Sequence, residues 1–244
     1  MVSNSELKRY QKKGEYSYAF GMFPTMEMLE NRPDCAEKAL LHSSVPEEGK
    51  ERLCKLCARK GIPVYENDRL VEKLREKENC FVIGVVRKYA CELERTASHV
   101  VLVNPGDSGN LGTVIRTCVG FGIQNLALVE PAVDIFHPKT IRASMGALFR
   151  LNFHYYPSFQ EYREEYGAGR DMYPFMLQGS VKLDGLEPMA RPFSLIFGNE
   201  AAGLDNSFLE VGQSVRIAHS DGIDSLNLSL AAGIGIYHFT KGKF

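Results

Sequence analysis

From His99 onward, short apolar runs alternate with helix-like segments, and this alternation leaves few folds open. HVVLVNP (99–105) opens the series as a near-continuous apolar run, the pattern of a parallel strand buried on both faces. The periodicity then predicts a helix over about 110–120, strand NLALVE, a helix from Pro138 to about Leu148, strand LNFHYY and a helix over 158–166. Strands near MYPFML and SLIFG follow, then a short helix after Leu204, strand SVRIA and a last helix from Ser225 to about Phe239. Such an order predicts an α/β domain whose parallel sheet carries helices on both faces, with ligand sites at the C-terminal ends of strands.

The N-terminal part alternates on a smaller scale. Residues 24–31 read as helix, KALLHSSV as a short strand, 47–60 as a helix stopped by Gly61, and IPVYE as a strand. A helix capped by Asp68 runs to about Lys77, and strand CFVIGVV occupies 80–86. This describes a small α/β domain over 1–90, a polar linker at 91–98 and the larger domain over 99–244. With 244 residues, 44% of them hydrophobic, the chain has apolar material for two cores. It shows no internal repeat and no low-complexity tract.

Several classes are disfavoured. MVSNSELKRYQKK has no apolar stretch behind its charges, and no run approaches the roughly 18 apolar residues of a membrane span, so the expected location is the cytoplasm. The cysteines at 35, 54, 57, 80, 91 and 118 read as reduced thiols. Cys54 and Cys57 form a C-x-x-C inside the helical ERLCKLCARKG, but no second ligand pair accompanies them, and no metal is expected. The net charge is −1, with 18 basic against 16 acidic residues up to Ser98 and 11 against 14 afterwards. Nucleic-acid contact would therefore need local patches, the candidates being Lys8, Arg9, Lys12, Lys13, Arg87 and Lys88. No G-x-G-x-x-G follows a strand, and neither G-x-x-x-x-G-K-[ST] nor G-x-S-x-G occurs, which disfavours dinucleotide-binding, P-loop and serine-hydrolase chemistry.

Three loops carry more polar residues and glycines than a connection needs. NPGDSGNLGTVIRT (104–117) places Asn110 at a helix start and Arg116 further along; the bland reading is capping plus a surface charge. LIFGNEAAGL (195–204) brackets Asn199 and Glu200 with Gly198 and Gly203, where backbone could approach a ligand or simply turn. In RIAHSDGIDSLNLSLAAGIGIY, Ser225 reads as an N-cap, and Asn227 is a poor helix former with no evident structural purpose.

Taken together and in this order, the segments resemble the three motifs of the TrmH (SpoU) family of the SPOUT methyltransferases. N-x-G-x-x-x-R-T corresponds to Asn110, Gly112, Arg116 and Thr117, G-N-E-x-x-G-L to 198–204, and S-L-N-x-S to 225–229. KTIRASMGALFR (139–150) is similar to the family's intermediate segment. The resemblance covers about 99–244; the N-terminal part is similar to the substrate-binding domain many members share with RNA-binding ribosomal proteins. It implies a trefoil-knotted domain, homodimers joined through the knot, and S-adenosylmethionine held against Gly198, Asn199, Ile217 and Leu226. It implies transfer of methyl to an RNA ribose 2′-hydroxyl, with Arg116 catalytic and Asn110, Glu200, Ser225 and Asn227 around it. One departure stands out. Where the family's third motif opens I-P-M-x-G, this chain has Ile217-Ala218-His219-Ser220-Asp221, with Gly222 displaced by one. His219 reads as a solvated loop histidine, with a role as base the alternative.

Arg116 is often described as the base in this family, but a guanidinium stays protonated. The preferred role is gripping a phosphate and stabilising alkoxide charge, with Glu200 orienting it. Ribosomal RNA is favoured as substrate, since folded RNA is read by shape and 2′-hydroxyls. The alternatives are a tRNA 2′-O-methyltransferase, a knotted enzyme modifying a tRNA base, and a non-catalytic RNA-binding protein that keeps the fold.

Overall fold

The computed structural model describes residues 3–187, 191–220 and 222–242; Asp221 of the departing loop lies outside the described residues. The contacts divide the chain into two units: residues up to Tyr89 with Asp134–Arg150, and Ala90–Val133 with the chain from Leu151 on.

The first unit is built on a four-stranded sheet in the order β1-β4-β2-β3, from β1 (Tyr16–Phe20), β2 (Ala36–Leu41), β3 (Val64–Glu66) and β4 (Val82–Arg87). β4 runs antiparallel to β1 and β2, and β3 lies parallel to β2. The helices are α1 (Met22–Asn31), α2 (Glu47–Lys60) and α3 (Asp68–Leu74). Residues 17–20 of β1 are all buried, so the strand lacks the alternation that reveals a half-exposed one, and the periodicity missed it. α2 stops where expected: Gly61 adopts φ 69° and its N–H returns to the Ala58 and Cys57 carbonyls. α3 starts differently. Asn67 is the cap, its side chain accepting the Leu70 N–H at 3.0 Å, while the Asp68 carboxylate takes the Ser43 N–H and hydroxyl. One sheet face packs Tyr18, Phe20, Leu40 and Ile83 on Leu70, Val71 and Leu74 of α3. At Gly84 a β-carbon would sit 2.7 Å from Cε of Met28 in α1, so a side chain there would require the Met28 thioether to shift.

The second unit holds β5 (His99–Val103), α4 (Ser108–Gly120) and β6 (Asn125–Val129), then, beyond the α5 segment described below, β7 (Asn152–Tyr156), α6 (Phe159–Tyr166), β8 (Asp171–Pro174), β9 (Val181–Lys182), β10 (Phe193–Phe197), β11 (Val215–Arg216) and α7 (Leu228–Thr240). Five strands form an all-parallel sheet in the order β7-β6-β5-β10-β8. Val100, Val101 and Leu102 are each 0% exposed, so both faces are covered. Val101 and Ile196 face Tyr162 and Tyr166 of α6. Phe197 faces the other way, under α7, where a β-carbon on Gly235 would come within 2.7 Å of the Phe175 ring and 3.1 Å of Phe197. The expected strand SVRIA is reduced to β11, two residues paired with β9 outside the main sheet.

The strand order positions the site. The chain lays β5, β6 and β7 outward, returns to the far edge with β8, and fills the gap with β10. β5 and β10 are therefore neighbours where the order reverses, and loops leaving such a pair diverge to open a crevice at the strands' C-terminal ends. Phe197 pairs with Leu102, so the loops after Val103 and Phe197 begin side by side.

The helix expected from Pro138 to Leu148 is corrected in length. α5 (Pro138–Ala143) ends because Met145 and Gly146 take φ 52° and 79°. Its segment belongs to the first unit: the Ser17 hydroxyl donates to the Phe136 carbonyl, and Arg150 grips Glu27 at 2.6 and 2.9 Å. Two candidate RNA-contacting cations are engaged there internally. Lys88 donates to the Lys12 carbonyl at 2.7 Å and lies 3.4 Å from Asp134. Arg87 pairs with Glu37 at 3.5 Å and donates to the Asp34 carbonyl. Lys8, Arg9, Lys12 and Lys13 are exposed.

Candidate functional site

At the end of β5 the chain turns through Asn104, whose φ of 53° is unusual for a residue other than glycine. Its side chain donates to the Glu130 carbonyl at 2.7 Å, and its own carbonyl accepts Nδ2 of Asn199 at 2.8 Å. α4 then starts under Asp107, whose carboxylate accepts the N–H groups of Gly109 and Asn110 at 2.7 and 2.8 Å. This is the capping anticipated for the segment, and it leaves the Asn110 side chain available for other bonds.

The loop after β10 folds back on itself. Asn199 Oδ1 accepts the N–H groups of Ala201 and Ala202, and the Asn199 carbonyl accepts that of Gly203. A β-carbon on Gly198 would lie 2.2 Å from the Gly203 carbonyl carbon and 2.5 Å from the Leu204 nitrogen, so the glycine is required by the loop's own backbone. Gly203 supplies the left-handed turn at φ 67°.

Glu200 joins this loop to the first one. Its Oε2 accepts the Gly106 N–H at 3.0 Å, and Oε1 accepts the Asp107 N–H at 3.2 Å and Asn110 Nδ2 at 3.1 Å. Burial pushes its pKa up, but bonds from Gly106, Asn110, its own N–H and Asp107 outweigh burial and hold the carboxyl below the usual glutamate range. The third segment completes the chain of bonds. Asn227 Nδ2 donates to Asn110 Oδ1 at 3.1 Å, while Asn227 Oδ1 accepts the N–H and hydroxyl of Ser229. An ionised carboxylate only accepts, so its position fixes both amides and gives a directed relay from Asn227 through Asn110 to Glu200.

Two expectations are corrected. Asn227, not Ser225, caps α7, so it has a structural purpose after all, and Ser225 is exposed on the preceding loop. Glu200 does not orient Arg116, because its acceptor positions are taken by Gly106, Asp107 and Asn110. Arg116 is exposed on α4, with no hydrogen bond or ion pair to any described residue. Six residues separate it from Asn110, which places them about 240° apart around the helix.

Beside the relay lies a cavity of about 360 Å³. Its walls come from the ends of β8, β10 and β11, and the expected ligand-lining residues Gly198, Asn199, Ile217 and Leu226 all face it, with Glu200 and Ser225. Phe175–Gln178, after β8, also line it and carry no motif; the rule placing sites at C-terminal strand ends is the signal that points to them. His219 lines the cavity too. Its Nδ1 must donate to the Ser220 carbonyl, 3.0 Å away, so Nε2 is an acceptor in the neutral ring. Cavities of about 490 Å³ near Gly167–Tyr173 and 860 Å³ near Ser98 and Gln124 are larger. Neither holds a motif residue, and the larger lies toward the N-terminal strand ends, so chemistry rather than size selects the site.

The arrangement is a crevice at a strand-order reversal, with a carboxylate-anchored amide relay on one side and a partly apolar cavity on the other. Comparison with known proteins gives its family. Residues 97–237 fit the model of the SpoU rRNA Methylase family. A 23S rRNA (guanosine(2553)-2′-O)-methyltransferase of Bacillus subtilis is 33% identical over 147 residues, which are 59% of this chain and 58% of that protein. The chain spans between 53% and 60% of the lengths of the first curated relatives it matches. An AdoMet-bound rRNA methyltransferase of Sinorhizobium meliloti superposes with a TM-score of 0.80 at 24% identity, covering 94% of this chain and 88% of that one. A structure described for 2-OH methylation of C/U34 on tRNA matches with a TM-score of 0.54 at 26% identity, over 60% of this chain and 95% of that one. With 97–237 holding β5, β10, all three loops and most of α7, the chain belongs to the SpoU rRNA methylase family.

Proposed function

We propose that the chain is an S-adenosylmethionine-dependent methyltransferase acting on a ribose 2′-hydroxyl of ribosomal RNA. The observation that carries this is the relay from Asn227 through Asn110 to Glu200, which joins three motif segments at the rim of the cavity. The cavity fits the cofactor: its size is that of a small-molecule site, Phe175, Leu204, Ile217 and Leu226 offer apolar walls, and Asp224 offers a carboxylate for an ammonium group. Bound S-adenosylmethionine supplies an electrophilic methyl group. Gly198, Asn199, Ile217 and Leu226 hold it; Asn110, Glu200, Ser225 and Asn227 shape the rim where the ribose is received. Arg116 donates its guanidinium fork to a phosphate and to the 2′-oxygen as the O–CH3 bond forms and the S–CH3 bond breaks; it stays protonated and cannot serve as the base, so the hydroxyl proton passes to solvent water.

Ribosomal RNA is preferred over tRNA because the similar rRNA enzyme covers 94% of this chain, first unit included, whereas the tRNA structure covers 60%. The first unit is then the substrate-binding domain, with Lys8, Arg9, Lys12 and Lys13 toward phosphates. Leu230, Ile234 and Tyr237 form an exposed apolar stripe on α7, 61%, 42% and 57% accessible, which supports a homodimer through this helix. A partner there would give the exposed Arg116 a site to complete. The trefoil knot belongs to the same reading, with the chain after β10 threading back to α7. Six free cysteines accord with a reducing cytoplasm, and among the described residues no helix is long and apolar enough to cross a membrane.

The test is to incubate the chain with methyl-labelled S-adenosylmethionine and unmodified rRNA, then hydrolyse the product in alkali. Ribose methylation leaves labelled dinucleotides, because the methylated oxygen no longer attacks the neighbouring phosphate. Label in mononucleotides would mean base methylation, and cofactor binding without transfer would mean a non-catalytic binder; either rejects the proposal.

A further inference from the structure

Asn104 stands where three strand ends meet. Its N–H donates to the Val129 carbonyl at 3.0 Å, extending the ladder between β5 and β6, and its Nδ2 donates to the Glu130 carbonyl at 2.7 Å. In an extended strand the N–H and C=O of one residue point to the same side, so the Asn104 carbonyl would face β6 as well. The left-handed φ of 53° breaks that rule. It carries the carbonyl to Nδ2 of Asn199, 2.8 Å away in the loop after β10, and β10 lies on the opposite side of β5 from β6. Asparagine enters this conformation more readily than most side chains, but only glycine does so without steric cost.

The turned carbonyl holds an amide whose two ends act differently. A carbonyl oxygen only accepts, so the bond at Asn104 settles which end of the Asn199 amide is the nitrogen. That nitrogen also lies 3.4 Å from Oε2 of Glu200. Oδ1 is thereby left toward the N–H groups of Ala201 and Ala202, which it accepts at 2.9 and 3.1 Å. Rotated by half a turn, the amide would set its nitrogen against those two donors and its oxygen against the Asn104 carbonyl. Asn199, Ala201 and Ala202 all line the cavity, whereas Asn104 does not.

We infer that Asn104 is a positioning residue for the cofactor site: its left-handed backbone orients Asn199, and Asn199 in turn shapes the cavity wall over residues 199–203. The bond from its side chain to Glu130 ties the same turn to the end of β6. The inference rests on reading the cavity as the S-adenosylmethionine site and adds a residue that acts on it without touching ligand.

Asn104→Gly and Asn104→Ala separate the turn from the side chain, since both lose the bond to Glu130 and differ only in the β-carbon that disfavours φ 53°. Each is made alone and together with Asn199→Ala. The readouts are S-adenosylmethionine affinity by calorimetry, amide hydrogen exchange at Ala201 and Ala202 by NMR, and the thermal midpoint. Expected are an affinity within about three-fold of the unaltered chain for Asn104→Gly, and a loss of roughly ten-fold with faster exchange at both amides for Asn104→Ala. The two should no longer differ once Asn199 is replaced. A residue serving general stability alone would lower the midpoint and leave the gap between the two Asn104 variants unchanged in the Asn199→Ala background, which would overturn the inference. Equal affinity in the two single variants would overturn it too. If Asn104→Ala does not fold, Asn104→Gly decides: retained affinity and protected amides, both lost in Asn199→Ala, support the inference, and a ten-fold loss in Asn104→Gly rejects it. An unaltered chain that binds no S-adenosylmethionine would reject the cofactor reading, and amide exchange would then test the positioning by itself.

Discussion

Replacing Glu200 by glutamine preserves size and shape but removes what lets one side chain anchor two segments. The carboxylate accepts the Gly106 N–H and Asn199 Nδ2 on Oε2 and the Asp107 N–H and Asn110 Nδ2 on Oε1, at 3.0–3.4 Å. Glutamine has one acceptor oxygen, so its amino group must face either Gly106 or the Asp107 and Asn110 pair. At least one bond becomes a clash of donors, and the others lose their charge. Hydrogen bonds to charged groups contribute about 1.5–3 kcal/mol and neutral ones about 0.5–1.5. The site is partly open to water, so the expected loss in ordering the relay is about 2–3 kcal/mol, which corresponds to roughly 30- to 150-fold in kcat/KM. The assay is methyl transfer for Glu200→Gln, Asn110→Ala and the double variant. Because Asn110 acts through Glu200, the double variant should cost much less than the two single losses combined. Additive losses, or Glu200→Gln with unaltered kcat/KM, would refute the relay as the organising contact. Its pH dependence has a definite sign. The folded pKa is depressed, so this stabilisation is present above the ordinary glutamate range and is lost as pH falls through the lower folded value.

Three other outcomes are expected. Arg116→Lys keeps the charge but loses the fork, so kcat should fall at least about 100-fold with cofactor affinity unchanged, as calorimetry on the same preparation would show. Gly198→Ala places a β-carbon 2.2 Å from the Gly203 backbone, so the loop must open; cofactor affinity should drop more than ten-fold while far-ultraviolet dichroism stays native, and tight binding would contradict the geometry. His99 is buried against Tyr162 and beside Arg170, and burial followed by the Arg170 charge lowers its pKa from 6.5 to about 4. The unfolded chain therefore binds this proton first. Roughly 3 kcal/mol of stability should disappear as pH falls from above 6.5 to about 4, and urea titrations of His99→Gln should show a shallower decline over that window.

What the sequence settled by itself was local. The buried run at 99–102 and the Gly61 stop each depend on residues within a turn or two, where backbone geometry and periodicity dictate the outcome. The order of the three motifs also identified the family that residues 97–237 match. β1 stayed hidden because burial on both faces erases alternation, and the helix after Pro138 was read too long because the left-handed turn at Met145 depends on its contact with α1. The site's internal order was decided by tertiary structure alone. Glu200 meets Gly106 and Asn110 from 94 and 90 residues away, and Asn227 meets Asn110 across 117. A hydrogen bond has no sequence signature at such separations. Its existence depends on β10 being inserted beside β5, a choice made by the sheet as a whole, and that insertion gave Glu200 its role as anchor of the relay and left Arg116 exposed on α4.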